Sequence, residues 1–419
     1  MSFKLPDILK IISKELYDKG AKAIVVGGSV RDYYLGFEIK DYDVEVYGLD
    51  TLESLSKLLG KYGSVNLVGK SFGVLKFKYD GDEYDFSFPR VEFKVGDTHK
   101  SFDVVVDPKM DFKDASKRRD FTINAMGYDI QNLTFLDAYD GLADIKTKTL
   151  RHIDDKTFQE DALRVYRGIG FCARFEFKFD EKTFKLCKNM VDADMLKTLP
   201  KERVFDEIKK LLLKSKKPSL GFKIMQKLGV FRYFDELKSL CVDDFNKSIN
   251  NIDMLKNKLD AQVDADEKTK LIYMFASLCS GFKTLELCES FISKLSDEKE
   301  FLKRVLILVK YHKELDINNL DDRGIRVLAT KVQIYELLGY LKFYMDVSFL
   351  KERAKKLGVY EKPLKNLIQG RDLISLGMKP SEKFKEILDS VYEMHLSGNL
   401  TTKKEALDFI SSNWIEYTS

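Results

Sequence analysis

The apolar residues change period near position 150, and this limits the fold more than any other feature of the chain. Before that point two periods alternate. Ile8, Leu9, Ile12 and Leu16 recur at helical spacing, and Gly20 suits a helix end. Ala23 to Val26 is a short apolar strand ending in Gly27 and Gly28, and Ser29 is placed to cap a short helix that stops at Gly36. Asp41 to Tyr47, Gly73 to Tyr79 and Glu83 to Phe88 alternate as strands. Asp50 and Glu53 form a D-x-x-E capping pattern ahead of another helix. From about 155 onward the period is helical almost everywhere, as in 201–213, 269–279, 300–311 and 383–395. The expectation is an N-terminal α/β head with a small mixed sheet, followed by a long all-α body.

Other bulk features exclude whole classes. At 419 residues the chain is too long for one ordinary domain. No apolar run approaches the roughly 20 residues that cross a bilayer, and residues 1–10 lack a signal-peptide pattern. Five cysteines without a C-x-x-C pair point to reduced thiols in a cytoplasmic setting, not to a disulfide framework or a zinc site. The net charge of +4 is uninformative by itself, but its distribution is not. Residues 151–220 carry 17 basic against 12 acidic side chains, and residues 351–371 carry seven against two. Each excess is either a solvated helix face or a surface that contacts phosphate.

Asp41, Asp43 and Glu45 fall at alternate positions of one strand, which puts them on one face with Val44 and Val46 on the other. Carboxylates at i and i+2 lie about 6–7 Å apart. That spacing lets both reach a shared pair of divalent cations of the kind that carry phosphoryl transfer. Magnesium is the natural ion, because carboxylate and phosphate oxygens are hard ligands. A bare D-x-D is more often a solvent-facing acidic strand. Here Gly28 precedes Asp41 by 13 residues, within VGGSVRD (26–32). Two glycines between a strand and a helix let backbone approach phosphate, and Arg31 in the first turn can reach a triphosphate. No G-K-[ST] follows and G-x-G-x-x-G is absent, so the segment is neither a P-loop nor a dinucleotide fingerprint.

The stretch GGSVRDYYLGFEIKDYDVEVYG (27–48) resembles the signature of the class II tRNA nucleotidyltransferase and bacterial poly(A) polymerase family, a branch of the polymerase-β-like nucleotidyltransferases. The likeness continues through DFSFPR (85–90), RRDFTINAM (118–126), DAYDG (137–141) with Leu150 and Arg151, and EDALR (160–164). Weaker echoes are ERVFDE (202–207) and DLISLGMKP (372–380). The resemblance implies a polymerase-β-like catalytic head over 1–148 and a helical neck with a base-selecting helix over 149–215. It implies an elongated all-α remainder, with a body over 216–320 and a tRNA-binding tail over 321–419. The implied activity is template-independent addition of CCA to the 3′ end of tRNA from CTP and ATP, with Mg2+ at Asp41 and Asp43. A-only or CC-only addition and poly(A) synthesis are the alternatives within the same chemistry.

The implied nucleotide site comprises Gly28, Ser29, Arg31, Arg119, Asn124, Asp161, Arg164 and Arg167. Arg118 and Arg119 read as neighbouring guanidiniums at a helix start, with Asp120 orienting them. Glu160, Asp161, Arg164 and Arg167 would span an arc of about 120° on a helix, opposite Leu163, Val165, Tyr166 and Ile169. Cytosine and adenine both present an amino donor beside an acceptor nitrogen, whereas uracil and guanine do not. An Asp161–Arg164 pair can therefore choose C and A without a template. Many relatives carry another arginine where this chain has Gly170, so that contact is missing or is supplied by Arg174. Asp85, on a neighbouring strand, is either a third metal carboxylate or a partner of Arg90. Residues 91–117 have weak periodicity and eleven charged residues, and correspond to a flexible loop in the family. His99, within it, reads as a surface histidine.

None of the four histidines, His99, His152, His312 and His395, precedes an aspartate, and KLIYMFASLCSG (270–281) stands where the phosphohydrolase motif of many bacterial relatives would sit. A second hydrolase activity is not expected. Competing readings are a silent RNA-binding module or a transferase acting on a small molecule or protein; the Asp pair and the helical extension argue against them. The oligomeric state is unknown from sequence.

Overall fold

The computed structural model describes every residue except 1–2, 40, 69–72, 95–101, 262–264 and 415–419. The chain divides into two compact units, Met1–Lys256 with Ser293–Ser296, and Asn257–Ile292 with Asp297–Ser419.

In the first unit, strands β1 (Lys22–Val26), β2 (Tyr42–Tyr47), β3 (Ser64–Val68), β4 (Val74–Tyr79), β5 (Asp82–Ser87), β8 (Met126–Asp129) and β9 (Thr134–Asp137) form one mixed sheet in the order β3-β4-β5-β2-β1-β8-β9. β6 (Arg90–Lys94) and β7 (Phe102–Val106) pair with each other between β5 and β8 in the chain. The register at the sheet centre matters most. Asp43 lies opposite Val26 across an antiparallel pair and opposite Asp85 across a parallel one. It therefore stands beside the glycine turn that ends β1.

Helices follow α1 (Asp7–Tyr17), α2 (Gly28–Tyr34), α3 (Leu52–Leu59), α4 (Phe112–Lys117), α5 (Gly141–Thr147), α6 (Asp155–Gln159), α7 (Leu163–Phe175), α8 (Glu181–Asp192), α9 (Lys201–Lys214) and α10 (Pro218–Leu228). Several local expectations are corrected here. Thr51, not Asp50, caps α3, because its hydroxyl accepts from the Ser54 amide at 3.2 Å. Gly27 is the N-cap of α2, and Ser29 lies inside the helix with its hydroxyl donating to the Val26 carbonyl at 3.3 Å. Arg118 is the C-cap of α4, so the two arginines follow a helix end instead of opening one. Part of the stretch expected as a loop is the β6–β7 pair; His99 lies outside the described residues. A parallel pairing of Thr149–Leu150 with Lys178–Phe179 falls partly within the region read as helical almost everywhere.

α7 packs against α9 and α10. Leu163, Val165, Tyr166 and Ile169 are buried, as its apolar arc requires. Its two glycines, Gly168 and Gly170, have opposite surroundings. A Cβ on Gly168 would lie 2.7 Å from Cζ of Phe179 and 2.9 Å from Cζ of Phe121, whereas one on Gly170 would meet nothing within 4 Å. Overpacking costs about 1–3 kcal/mol. Replacing an unconstrained helical glycine by alanine gains up to about 1 kcal/mol. Gly168→Ala is expected to lower the urea midpoint and Gly170→Ala to raise it. Equal midpoints for the two variants would contradict the packing described.

The second unit is helical. In Glu267–Cys279 every residue from Leu271 to Cys279 is buried, which marks a helix enclosed on all sides, and it packs against Lys299–Glu314. Leu373, Ile387, Val391, Ala406 and Ile410 form a small separate core near the C-terminus. In the basic stretch after 350, Arg353 donates to the Leu320 carbonyl at 2.7 Å and pairs with Asp322, so this charge also braces the fold. All five cysteines are free. Among the described residues no helix is long and apolar enough to cross a membrane.

Candidate active site

Gly27 is the position where a side chain is excluded. Its φ is +75°, and a Cβ there would stand 2.9 Å from Nη1 of Arg119 and 3.9 Å from Oδ2 of Asp43. The turn thus brings a guanidinium and a carboxylate close to bare backbone. Asp41 sits one residue before β2, so the acidic pair straddles the strand's start. Burial raises the Asp43 carboxyl above its ordinary value; Arg119 opposes this, while Asp85, Asp41 and Glu45 add to it.

Glu45, the third acidic residue of the face, has a different place. It is 1% exposed and accepts from Tyr47 Oη at 2.8 Å, Arg118 Nη2 at 2.8 Å and Arg119 Nη2 at 2.9 Å. Burial alone would raise its carboxyl; Arg119, Arg118 and the Tyr47 hydroxyl outweigh that and hold it below the usual range. Glu45 therefore orients the two arginines, and the expectation that Asp120 does so is corrected. Asp120 is buried and accepts from Arg167 Nε at 2.7 Å and from Asn124 Nδ2 at 2.9 Å. Asn124 in turn accepts from Arg31 Nη1 at 2.6 Å. Asn124 is thus a spacer between Asp120 and Arg31, with both ends of its amide engaged. Arg31 is 6% exposed, bonds Asp32 at 2.8 Å, and lies 5.3 and 5.1 Å from the ring centres of Phe171 and Phe175.

Arg164 and Arg167 lie on α7, but Glu160 and Asp161 precede it, so the four do not share one helical arc. Asp161 instead accepts from the Leu163 amide at 3.0 Å through Oδ1, and its Oδ2 pairs with Arg203 Nη2 at 3.0 Å. Arg164 donates to the carbonyls of Thr157 at 2.8 Å and Arg118 at 2.6 Å. The second bond ties Arg164 directly to the backbone of the arginine pair. Sequence reasoning assigned no role to Arg203; the ERVFDE echo was its only signal.

These groups converge on a cleft of about 400 Å³. Arg31, Arg118, Arg119, Arg164, Arg167 and Arg203 line it against Asp43, Asp120 and Asp161, together with Gly27, Gly28 and Asn124. The excess of guanidinium suits a polyanion. Ser29 lines a second cleft, of about 580 Å³, which shares Gly28, Arg31 and Asp43 with the first and adds Asp41. Asp85 is half-exposed, with Lys76 Nζ at 3.2 Å. Among the described residues no three His, Cys, Asp or Glu side chains are grouped to hold a metal. The donor set still fits magnesium, which needs only one or two protein carboxylates when substrate phosphates complete its shell.

Residues 23–151 match the family model described as "Poly A polymerase head domain", and residues 176–241 match "Probable RNA and SrmB- binding site of polymerase A". A CCA-adding enzyme of Lactococcus lactis is 27% identical over 417 residues, covering 96% of this chain and 97% of the relative. The fold is similar to that of the Bacillus stearothermophilus CCA-adding enzyme solved with CTP, with TM-score 0.74, 20% identity and 99% of each chain covered. It is also similar to that of the Thermotoga maritima CCA-adding enzyme complexed with tRNA, with TM-score 0.64, 21% identity and coverage of 98% and 96%. A turn that admits only glycine, an acidic pair beside it and an arginine-lined cleft fall within or next to the matched head, and over nearly its whole length the chain is similar to CCA-adding enzymes.

Proposed function

We propose that this protein adds CCA to the 3′ end of tRNA from CTP and ATP, without a nucleic-acid template. The observation that carries the reading is the acidic pair Asp41 and Asp43 set at a cleft lined by six arginines together with Asp120 and Asp161. In the reaction the RNA 3′ oxygen bonds to the α-phosphorus, the bond from that phosphorus to the β-phosphate oxygen breaks, and pyrophosphate leaves. Magnesium held by Asp41 and Asp43 would activate the attacking hydroxyl and neutralise the leaving group. Arg118 and Arg119, fixed by Glu45, meet the phosphates as preset donors, so little ordering remains at binding. Arg167, fixed by Asp120, adds another. Asp161 accepts from the amino group shared by cytosine and adenine, and Arg164 donates to the adjacent ring nitrogen. The setting of this reaction is the cytoplasm, where free thiols persist.

The test is incubation of the protein with tRNAs ending in N, NC and NCC, with CTP, ATP or both, followed by sequencing of the products. The expected result is completion of CCA and arrest there. Addition of A alone, of CC alone or of a long A tract would reassign the product within the same chemistry. No addition to any of the three ends would sink the proposal.

A further inference from the structure

We propose that Arg174, Lys214 and Lys216 form a second phosphate-binding site beside the Asp41–Asp43 pair, in the larger of the two clefts. The proposal rests on the nucleotidyl-transfer reading above and deepens it. This cleft is lined by Arg31, the guanidinium that lies beside both Phe171 and Phe175, and by Asp41 and Asp43.

The cations of this cleft besides Arg31 come from three separated positions. Arg174 is in the last turn of α7, Lys214 is the final residue of α9, and Lys216 lies two residues beyond. Cations at helix ends are ordinary, since they complement the carbonyl end of the helix. That explanation covers Arg174 and Lys214 but not Lys216. Nor does it explain why all three converge on one cavity. Lys214 and Lys216 are exposed, and neither forms an ion pair among the described residues. Arg174 lies over the Phe175 ring, 5.0 Å from its centre, and its ion pair among the described residues is a long one to Asp32, at 3.8 Å, a carboxylate already held by Arg31 at 2.7 Å. Glu38 also lines the cleft but forms no ion pair among the described residues, so Lys214 and Lys216 keep unmatched donors there. Phosphate oxygens supply the missing acceptors.

The position also answers the Gly170 departure. The space beside Gly170 is open, and Arg174 projects one helical turn further along the same helix. Two substrates bring phosphate to this place. One is the nucleotide, through its β- and γ-phosphates and the departing pyrophosphate; the other is the backbone at the 3′ end of the acceptor RNA.

Two probes separate them without requiring turnover: magnesium pyrophosphate by titration calorimetry, and a fluorescein-labelled oligoribonucleotide ending in CC by anisotropy. Wild type is compared with a triple variant, Arg174→Gln, Lys214→Gln, Lys216→Gln, and with a charge-keeping one, Arg174→Lys, Lys214→Arg, Lys216→Arg. Far-ultraviolet circular dichroism checks that both fold. Loss of charge-assisted hydrogen bonds is expected to weaken one probe roughly tenfold or more. The charge-keeping variant should stay near wild type. Weakened pyrophosphate binding with unchanged RNA binding assigns the site to the triphosphate tail. Weakened RNA binding, with a flatter salt dependence, assigns it to the acceptor strand. If neither probe weakens, or wild type binds neither, the proposal is overturned. A protein that fails to extend tRNA yet binds a probe through these cations would sink the CCA reading and leave this site standing.

Discussion

Alanine at Asp41 or at Asp43 is expected to abolish nucleotide transfer while leaving the fold and RNA binding in place. Both side chains line the cleft, and neither makes a hydrogen bond among those described. Their removal costs little stability, since substitutions of this kind usually stay within about 0.5 kcal/mol. Asp43 stands among Asp85, Asp41 and Glu45 as well as beside Arg119, so its loss relieves repulsion while giving up one attraction. The catalytic cost is of another size. Stabilisation of transition-state charge by a metal is worth several kcal/mol, which is about a thousandfold or more in rate. The measurement is single-turnover extension of tRNA ending in CC with ATP at varied magnesium, beside urea unfolding and tRNA affinity. Wild-type turnover by either variant would remove the metal assignment. A parallel loss of tRNA affinity would show instead that the pair shapes the RNA site.

Changes at Asp161 and Arg164 should alter which nucleotide is used and not merely how fast. Asp161 has two tasks, because Oδ1 holds the Leu163 amide at the start of α7 while Oδ2 faces Arg203. Asparagine separates them, since it keeps an acceptor for the amide and places an NH2 where Oδ2 was. Asp161→Asn should therefore keep the helix start and lose the preference for a base with an amino donor. Arg164 is held by two carbonyls, so Arg164→Ala takes a donor from the Arg118 carbonyl as well as removing the donor to the base, while the Thr157 carbonyl keeps the Glu160 amide. An unpaired buried polar group costs about 1–3 kcal/mol, roughly ten- to a hundredfold in discrimination. The comparison is kcat/KM for CTP, ATP, UTP and GTP in wild type, Asp161→Asn and Arg164→Ala. A uniform drop with preference for C and A intact would place base selection elsewhere.

The strands and helices were legible wherever a period ran for several turns or alternations. The apolar arc of α7 and the enclosed helix Glu267–Cys279 are examples. Errors gathered at element ends. Asp50 lost the cap of α3 to Thr51, and Asp161 fell outside the helix assigned to it, because a cap depends on one backbone angle that no periodicity encodes.

For the site, the sequence by itself determined the inventory: the glycine turn, the acidic strand and the run of arginines that mark the family. The partners were decided only by tertiary structure. Asp120 follows Arg118 and Arg119 in the chain, yet Glu45, more than 70 residues earlier, holds them, while Asp120 binds Arg167 from α7. Adjacent residues after a helix end project in different directions, so neighbours in sequence need not meet. Likewise Arg203, 42 residues beyond Asp161, reaches it only because α9 packs against α7. Which carboxylate serves which guanidinium is a matter of three-dimensional proximity, and the sheet register and the packing of α9 on α7 set it.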